Sequence, residues 1–185
     1  NYIVLIKHPL SSEVEDAGEQ METALKSLDE FCGKHSFQVV CIQPNSDPGS
    51  HEMKTVLENY SDKDHLIIAQ TLPRLQFINL MRHAKALVGN SSMGILEAPY
   101  YKLPVVNIGN RQQGRLNAGN VEFVPYKNDD IIKAVEKATL DYEYRQMIRN
   151  LKNPFGDSSA PQKVMEAIES VDINDRKWYV KQKLC

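Results

Sequence analysis

The chain has 185 residues with 22 Lys and Arg against 24 Asp and Glu, a formal net charge of -2, and is 42% hydrophobic and 25% charged. That composition fits one ordinary globular domain with enough chain for a proper core. It lacks the basic excess with which a nucleic-acid binder neutralises phosphates. No apolar run approaches the ~20 residues that span a membrane, and no segment reads as a signal peptide.

The chain enters on a strand at once, Asn1-Tyr2-Ile3-Val4-Leu5-Ile6, with no initiator Met, and so reads as a piece of a longer protein. Tyr2 to Lys7 predicts a first strand, closed by His8-Pro9. Glu13 to Lys34 carries helical spacing through Met21, Leu25, Leu28 and Phe31. Phe37 to Ile42 predicts a strand ended by the turn Pro44-Asn45-Ser46-Asp47-Pro48-Gly49. A helix is expected from about Ser50 to Tyr60, then a short buried strand Leu66 to Ala69. Pro73 opens a helix with Leu75, Ile78, Leu80 and Met81 on its core face.

The strand Ala86 to Val88 follows, and Ser91-Ser92 then open a helix running towards Tyr101. Val105 to Ile108 and Val121 to Val124 predict two more strands. Helices over Asp129 to Leu140, Tyr142 to Leu151 and Pro161 to Val171 complete the chain, with Asp157-Ser158-Ser159 as the expected cap of the last. Apolar strands separated by helices predict a parallel sheet covered on both faces, a Rossmann-like doubly wound α/β fold of about six strands. One domain over 1–171 and a tail over 172–185 are expected.

Two nucleotide signatures are missing. No Gly-x-Gly-x-x-Gly follows the first strand, and no Gly-x-x-x-x-Gly-Lys-Ser/Thr occurs anywhere. Cys32, Cys41 and Cys185 are odd in number and lack metal-ligand spacing, which fits small hydrophobes in a reducing, cytoplasmic setting. The histidines are scattered. Neither a metal nor a cofactor is expected.

The informative stretch is Gly89-Asn90-Ser91-Ser92-Met93-Gly94-Ile95-Leu96-Glu97 with Pro104-Val105-Val106-Asn107-Ile108-Gly109-Asn110-Arg111-Gln112. A helix start after a strand offers unpaired N–H groups, the positive end of a helix dipole and two hydroxyls, which together suit a phosphate. Glu97, one turn beyond Met93, is suited to accept the two hydroxyls of a ribose. Arg111, after the next strand, can meet the phosphates from the other side. Taken singly, Ser-Ser is ordinary capping chemistry, and a helical Glu or a loop Arg is ordinarily solvated. Their coincidence at the carboxyl ends of neighbouring strands is what points to a nucleotide diphosphate. His8 and Asn45 end strands on the same edge. His8 could equally cap a turn, and Pro-Asn-Ser-Asp-Pro is turn chemistry in its own right.

Three motifs, Lys7-His8-Pro9-Leu10-Ser11-Ser12-Glu13, Gly89 to Glu97, and Val105-Val106-Asn107-Ile108-Gly109-Asn110-Arg111-Gln112-Gln113-Gly114-Arg115, resemble the hydrolysing UDP-N-acetylglucosamine 2-epimerases. The similarity runs from His8 to Asn153-Pro154-Phe155-Gly156-Asp157. The His-Pro pairing resembles the hydrolysing branch, since the non-hydrolysing enzymes tend to carry His-Arg-Arg-Glu-Asn there. The resemblance implies the second, UDP-binding half of a GT-B architecture, whose active site lies between two Rossmann-like domains, the first being absent here. It implies Ser91 and Ser92 on the diphosphate, Glu97 on the ribose and the Leu72 backbone at the uracil. Arg111, Asn45 and His8 would complete the diphosphate and sugar surroundings. The implied partners are UDP and a UDP-N-acetylhexosamine, with dimerisation through the open cleft face a further expectation.

The family's reaction is elimination of UDP with loss of the C2 proton, then hydration of the glycal to N-acetylmannosamine, on the way to sialic-acid-type sugars. The carboxylates that handle protons lie mainly in the first domain, so this chain alone is expected to be inactive. Two alternatives stand beside this reading. One is a sister epimerase acting on UDP-2,4-diacetamido-2,4,6-trideoxy-glucose. The other is a non-catalytic UDP-sugar-binding module or a GT-B glycosyltransferase half.

Overall fold

The computed structural model describes residues 1–175. Cys185 and most of the expected tail lie outside that range. The apolar runs form strands β1 (Tyr2–Ile6), β2 (Gln38–Ile42), β3 (Leu66–Ala69), β4 (Leu87–Gly89), β5 (Val105–Ile108) and β6 (Val121–Val124). They build one six-stranded sheet in the order β3-β2-β1-β4-β5-β6, and every pairing is parallel. Helices α1 (Ala17–Lys34), α2 (Ser50–Glu58), α3 (Arg74–His83), α4 (Met93–Leu96), α5 (Asn128–Leu140) and α6 (Tyr142–Asn150) connect or follow them. This is the doubly wound α/β topology the alternation predicts.

Strand alternation divides the core between the two faces. Ile3 and Leu5 of β1 pack in one cluster with Met21, Leu25, Leu28 and Phe31 of α1 and Ile131 and Val135 of α5. Val4 and Ile6 pack in the other with Met81 of α3, Leu87, Leu103 and Val105. Leu5, Met21 and Phe31 are fully buried, and each such side chain contributes about 1.5–3 kcal/mol of transfer free energy. The expected α1 core face is the observed one, but the helix starts at Ala17, after a 3-10 turn over Ser11–Glu13.

Three expectations need correction. β3 is an edge strand, so Ile67 is exposed rather than buried. α3 presents Phe77, Leu80 and Met81 to the core, and Leu75 stays 76% exposed. The Ser-Ser helix does not run on to Tyr101. α4 ends at Leu96 and a 3-10 turn, Ala98–Tyr101, follows. Pro99 causes the break, because it has no N–H for the Ile95 carbonyl and its ring crowds that carbonyl.

The chain divides into two compact units, Asn1–Lys152 and Asn153–Cys185. The first holds the whole sheet. The second carries α7 (Ala160–Glu169), where the Asp157 carboxylate accepts from the Ser159 N–H at 3.1 Å just before the helix. Among the described residues, no helix is long and apolar enough to cross a membrane.

Candidate functional site

Strand order reverses between β1 and β4, the strands that leave towards opposite edges of the sheet. In open α/β sheets the crevice beyond their carboxyl ends is where ligands bind. β1 ends at Ile6, paired with Gly89 of β4. Gly89 has φ +130, and a Cβ there would lie 2.0 Å from the Ile6 carbonyl oxygen, so only glycine lets the strands approach this closely. Lys7-His8 and Asn90-Ser91 therefore face each other across the crevice.

Asn90 organises what surrounds it. It is 1% exposed; its Oδ1 accepts from the His8 N–H at 2.8 Å and its Nδ2 donates to the His8 carbonyl at 2.8 Å. Its own carbonyl accepts from Arg111 Nη1 at 3.1 Å and Gln112 Nε2 at 3.0 Å. The loop after β5 is thus folded back over the β4 turn, and this holds Arg111 at the carbonyl of Asn90, the residue before Ser91. The sequence reading missed Asn90, whose only signal was its place between a strand-ending glycine and two serines.

Ser91 and Ser92 are half-buried at the start of α4. Their backbone N–H groups have no hydrogen-bond partner among the described residues, while the N–H of Met93 leans on Ser91 Oγ at 3.4 Å. The short α4 supplies less dipole than a long helix, so the local N–H groups, the hydroxyls and Arg111 carry the site's affinity for an anion. Gly94 lets α4 lie close on the sheet, since a Cβ there would come 2.7 Å from Val105 Cγ1.

A cleft of about 430 Å³ opens at this point, lined by His8, Leu72, Arg74, Phe77, Ser91 and Met93 among others. It joins three of the expected site residues, His8, Leu72 and Ser91. Ser92, Glu97, Arg111 and Asn45 do not line it but adjoin it through neighbours. Glu97 Oε2 is held by Arg74 Nη2 at 2.8 Å. Asn45 is exposed; its side chain bonds Asp47 within the turn, and only its backbone N–H reaches His8, at 3.3 Å from Nδ1. That contact makes Nδ1 an acceptor, so the neutral ring carries its proton on Nε2, an assignment made from the hydrogen-bond network.

Two basic groups at this site are held below their ordinary pKa values. Burial holds the His8 pKa below the ordinary imidazole value, with Arg111 and Lys7 lowering it further and Asp47 opposing them. Lys7 is 1% exposed, donates to Gln20 Oε1 at 3.1 Å and stands 5.0 Å from the centre of the Tyr126 ring. Burial brings its pKa down to about 7; Glu13 opposes this and Arg111 adds to it. Gln20 in turn donates to Glu13, and Asn110 donates to the other Glu13 oxygen at 3.0 Å, which ties the Arg111 loop to the start of α1. Burial raises Cys41 to about 12 and Cys32 to about 11, as expected of thiols that act as small hydrophobes.

The sequence profile of the family described as UDP-N-acetylglucosamine 2-epimerase matches residues 1–169. The chain is 28% identical over 177 residues to the UDP-N,N'-diacetylbacillosamine 2-epimerase (hydrolyzing) of Legionella pneumophila, covering 94% of this chain and 44% of that protein. It is 31% identical over 138 residues to the UDP-N-acetylglucosamine 2-epimerase of Neisseria meningitidis, covering 75% of this chain and 35% of that protein. In structure it is similar to the S. aureus MnaA–UDP complex, with TM-score 0.72 and 18% identity over 91% of this chain and 45% of that one. The chain therefore spans less than half the length of the relatives it matches, and its fold is that of one Rossmann-like half of a GT-B protein.

Proposed function

The chain belongs to the UDP-N-acetylglucosamine 2-epimerase family, and from that premise we propose that it is the UDP-holding half of a hydrolysing member. The whole protein would convert UDP-N-acetylglucosamine and water to N-acetylmannosamine and UDP, on the way to sialic-acid-type sugars in the cytoplasm. One observation carries the reading. The Ser91 and Ser92 N–H groups, without a hydrogen-bond partner among the described residues, follow Asn90 in the chain, and the Arg111 guanidinium is bound to the Asn90 carbonyl at the crevice between β1 and β4. Donors and a cation fixed in one place suit a diphosphate that gathers charge as it leaves.

In this reading a base removes the C2 proton, the C1–O bond to UDP breaks, and a glycal forms. Water then adds across the double bond to give the free sugar. Ser91, Ser92 and Arg111 stabilise the departing UDP, Glu97 accepts from the ribose hydroxyls, and the Leu72 backbone meets the uracil. His8, neutral at neutral pH with its proton on Nε2, serves as a donor to the diphosphate side of the reaction. Asn45 acts on His8 through its backbone N–H. The base belongs to the other GT-B domain.

A second reading has a specific support. The Legionella relative is named for UDP-N,N'-diacetylbacillosamine, so a diacetamido-trideoxy sugar is the competing substrate. Titration calorimetry of UDP with and without EDTA tests the shared core of both readings. Metal-independent binding is expected, because the cationic partner is Arg111. No binding at millimolar UDP, or binding only with a divalent ion, would sink both.

A further inference from the structure

Arg74 is a charged cleft-lining side chain that the reading above leaves without a task, and it holds a residue that the reading needs. Glu97 is fixed at its backbone, where its N–H donates to the Met93 carbonyl at 2.9 Å and its carbonyl accepts from Tyr100 at 3.0 Å. Its side chain is one-third exposed and free to choose rotamers, except that Arg74 Nη2 holds Oε2 at 2.8 Å. The two residues come from different elements. Arg74 opens α3 directly after Leu72-Pro73, and Glu97 follows α4. The pair therefore joins the loop on one wall of the cleft to the helix on the other.

We infer that Arg74 is a positioning residue for the nucleotide. By holding Glu97 Oε2 at the rim of the cleft, it presets the carboxylate that accepts from the two ribose hydroxyls of a uridine diphosphate. The inference rests on the proposed role of Glu97. The chemistry allows it, because an ionised carboxylate has about four acceptor positions and a single Arg N–H occupies one. The contact is a single N–H to Oε2 rather than a two-pronged fork, so Arg74 leaves the other carboxylate oxygen unengaged. As an exposed ion pair it adds little to folding, since such pairs are screened and lose side-chain entropy on forming. Its consequence is for binding, where an acceptor already held in place has less rotamer freedom to lose.

The test is calorimetry of UDP, 2′-deoxy-UDP and 2′,3′-dideoxy-UDP against the chain itself, Arg74→Met, Arg74→Lys, Glu97→Gln and the Arg74→Met/Glu97→Gln double variant. Thermal unfolding of each serves as the check on folding. Glu97→Gln should weaken UDP about tenfold and bring it level with the dideoxy analogue. Arg74→Met should weaken UDP about two- to fivefold while leaving the dideoxy analogue unchanged, and Arg74→Lys should recover part of the loss. In the Glu97→Gln background, Arg74→Met should change nothing further. Each alternative outcome has a distinct meaning. If Glu97→Gln leaves the preference for UDP over the dideoxy analogue intact, the ribose role of Glu97 fails and this inference with it. If Glu97→Gln abolishes that preference but Arg74→Met does not reduce it, only the positioning role fails. Equal weakening of UDP and the dideoxy analogue by Arg74→Met would show that Arg74 touches the ligand directly, and would also overturn positioning.

Discussion

The side-chain amide of Asn90 pairs with the backbone of His8 as a peptide would, donating to its carbonyl and accepting from its N–H, both at 2.8 Å. The β1–β4 ladder ends at Ile6 and Gly89, where the strands part. Asn90 adds one more rung across the gap that the fold opens for a ligand. The same residue's carbonyl holds Arg111 and Gln112. One buried residue thus sets the His8 wall through its side chain and the approach of Arg111 through its main-chain carbonyl.

Replacing that amide should cost stability and ligand affinity together. Asn90→Ala leaves the half-buried His8 N–H and carbonyl without their partner, a loss below the about 1–3 kcal/mol of a fully buried group. Asn90→Asp keeps the acceptor but sets a carboxylate oxygen against the His8 carbonyl. Both variants should unfold at lower temperature and bind UDP at least several-fold more weakly. An Asn90→Ala protein that is destabilised yet binds UDP like the parent would separate Asn90 from the site.

Gly94 offers a packing test of the same turn. A Cβ there would sit 2.7 Å from Val105 Cγ1, and valine cannot swing its methyl away without leaving its rotamer. Gly94→Ala should destabilise by about 1–3 kcal/mol through overpacking. Val105→Ala in the same chain should recover part of that loss, although alone it opens a cavity and destabilises. Additive losses in the double-mutant cycle would mean that α4 shifts freely on the sheet.

Lys7 predicts a pH dependence. Its pKa is about 7 in the fold and near 10.5 in the unfolded chain, so between those values the unfolded state binds more protons. Stability therefore rises with pH across that window, by at most ~1.4 kcal/mol per pH unit for one proton. The charged groups that act on Lys7 are Glu13 and Arg111, with His8 also feeling its charge. Lys7→Met should lack this rise, so the stability difference between parent and variant should change steadily from pH 7 to pH 10 and level off below pH 7. Urea melts at each pH measure it, and parallel pH profiles for the two proteins would show that Lys7 does not titrate in that range.

The activity prediction separates an enzyme half from a binding module. This chain alone should not release free sugar from UDP-N-acetylglucosamine at a useful rate, because a positioned base contributes about 10²–10⁴-fold and the proposed mechanism places that base on the other domain. Joined to its first domain, the protein should release N-acetylmannosamine and exchange the C2 proton with solvent deuterium. His8→Ala in that longer protein should lower kcat by about 10²-fold or more and still bind UDP. Turnover by the 185-residue chain alone would overturn the two-domain mechanism. A longer protein that binds the nucleotide sugar without C2 exchange would favour a transferase or a binding module.

Local pattern carried the sheet and part of the site. β3, β5 and β6 have the bounds that their apolar runs predict, because strand ends here coincide with turn residues. That Ser91, Ser92 and Arg111 lie at one edge of the sheet was legible because a parallel sheet brings the carboxyl ends of adjacent strands together whatever the details of packing; their part in binding is the proposal made above. α4 is shorter than its Ser-Ser start suggests because Pro99, about two turns further on, lacks the N–H that would carry the helix forward. Leu75 and Ile67 were misread because apolar identity does not say which strand lies at an edge or which side of a helix meets the sheet.

The sequence by itself determined the α/β class, the parallel order of chemistry along one sheet edge and the family, all of which depend on local periodicity and short motifs. Only the tertiary structure decided how those residues are held. Asn90 meets His8 across 82 positions of chain, Glu97 meets Arg74 across 23, and Lys7 reaches Gln20 only because α1 folds back over β1. A hydrogen bond is a matter of ångströms between side chains on different elements, and no spacing along the chain encodes that distance until the sheet has twisted and the helices have packed upon it.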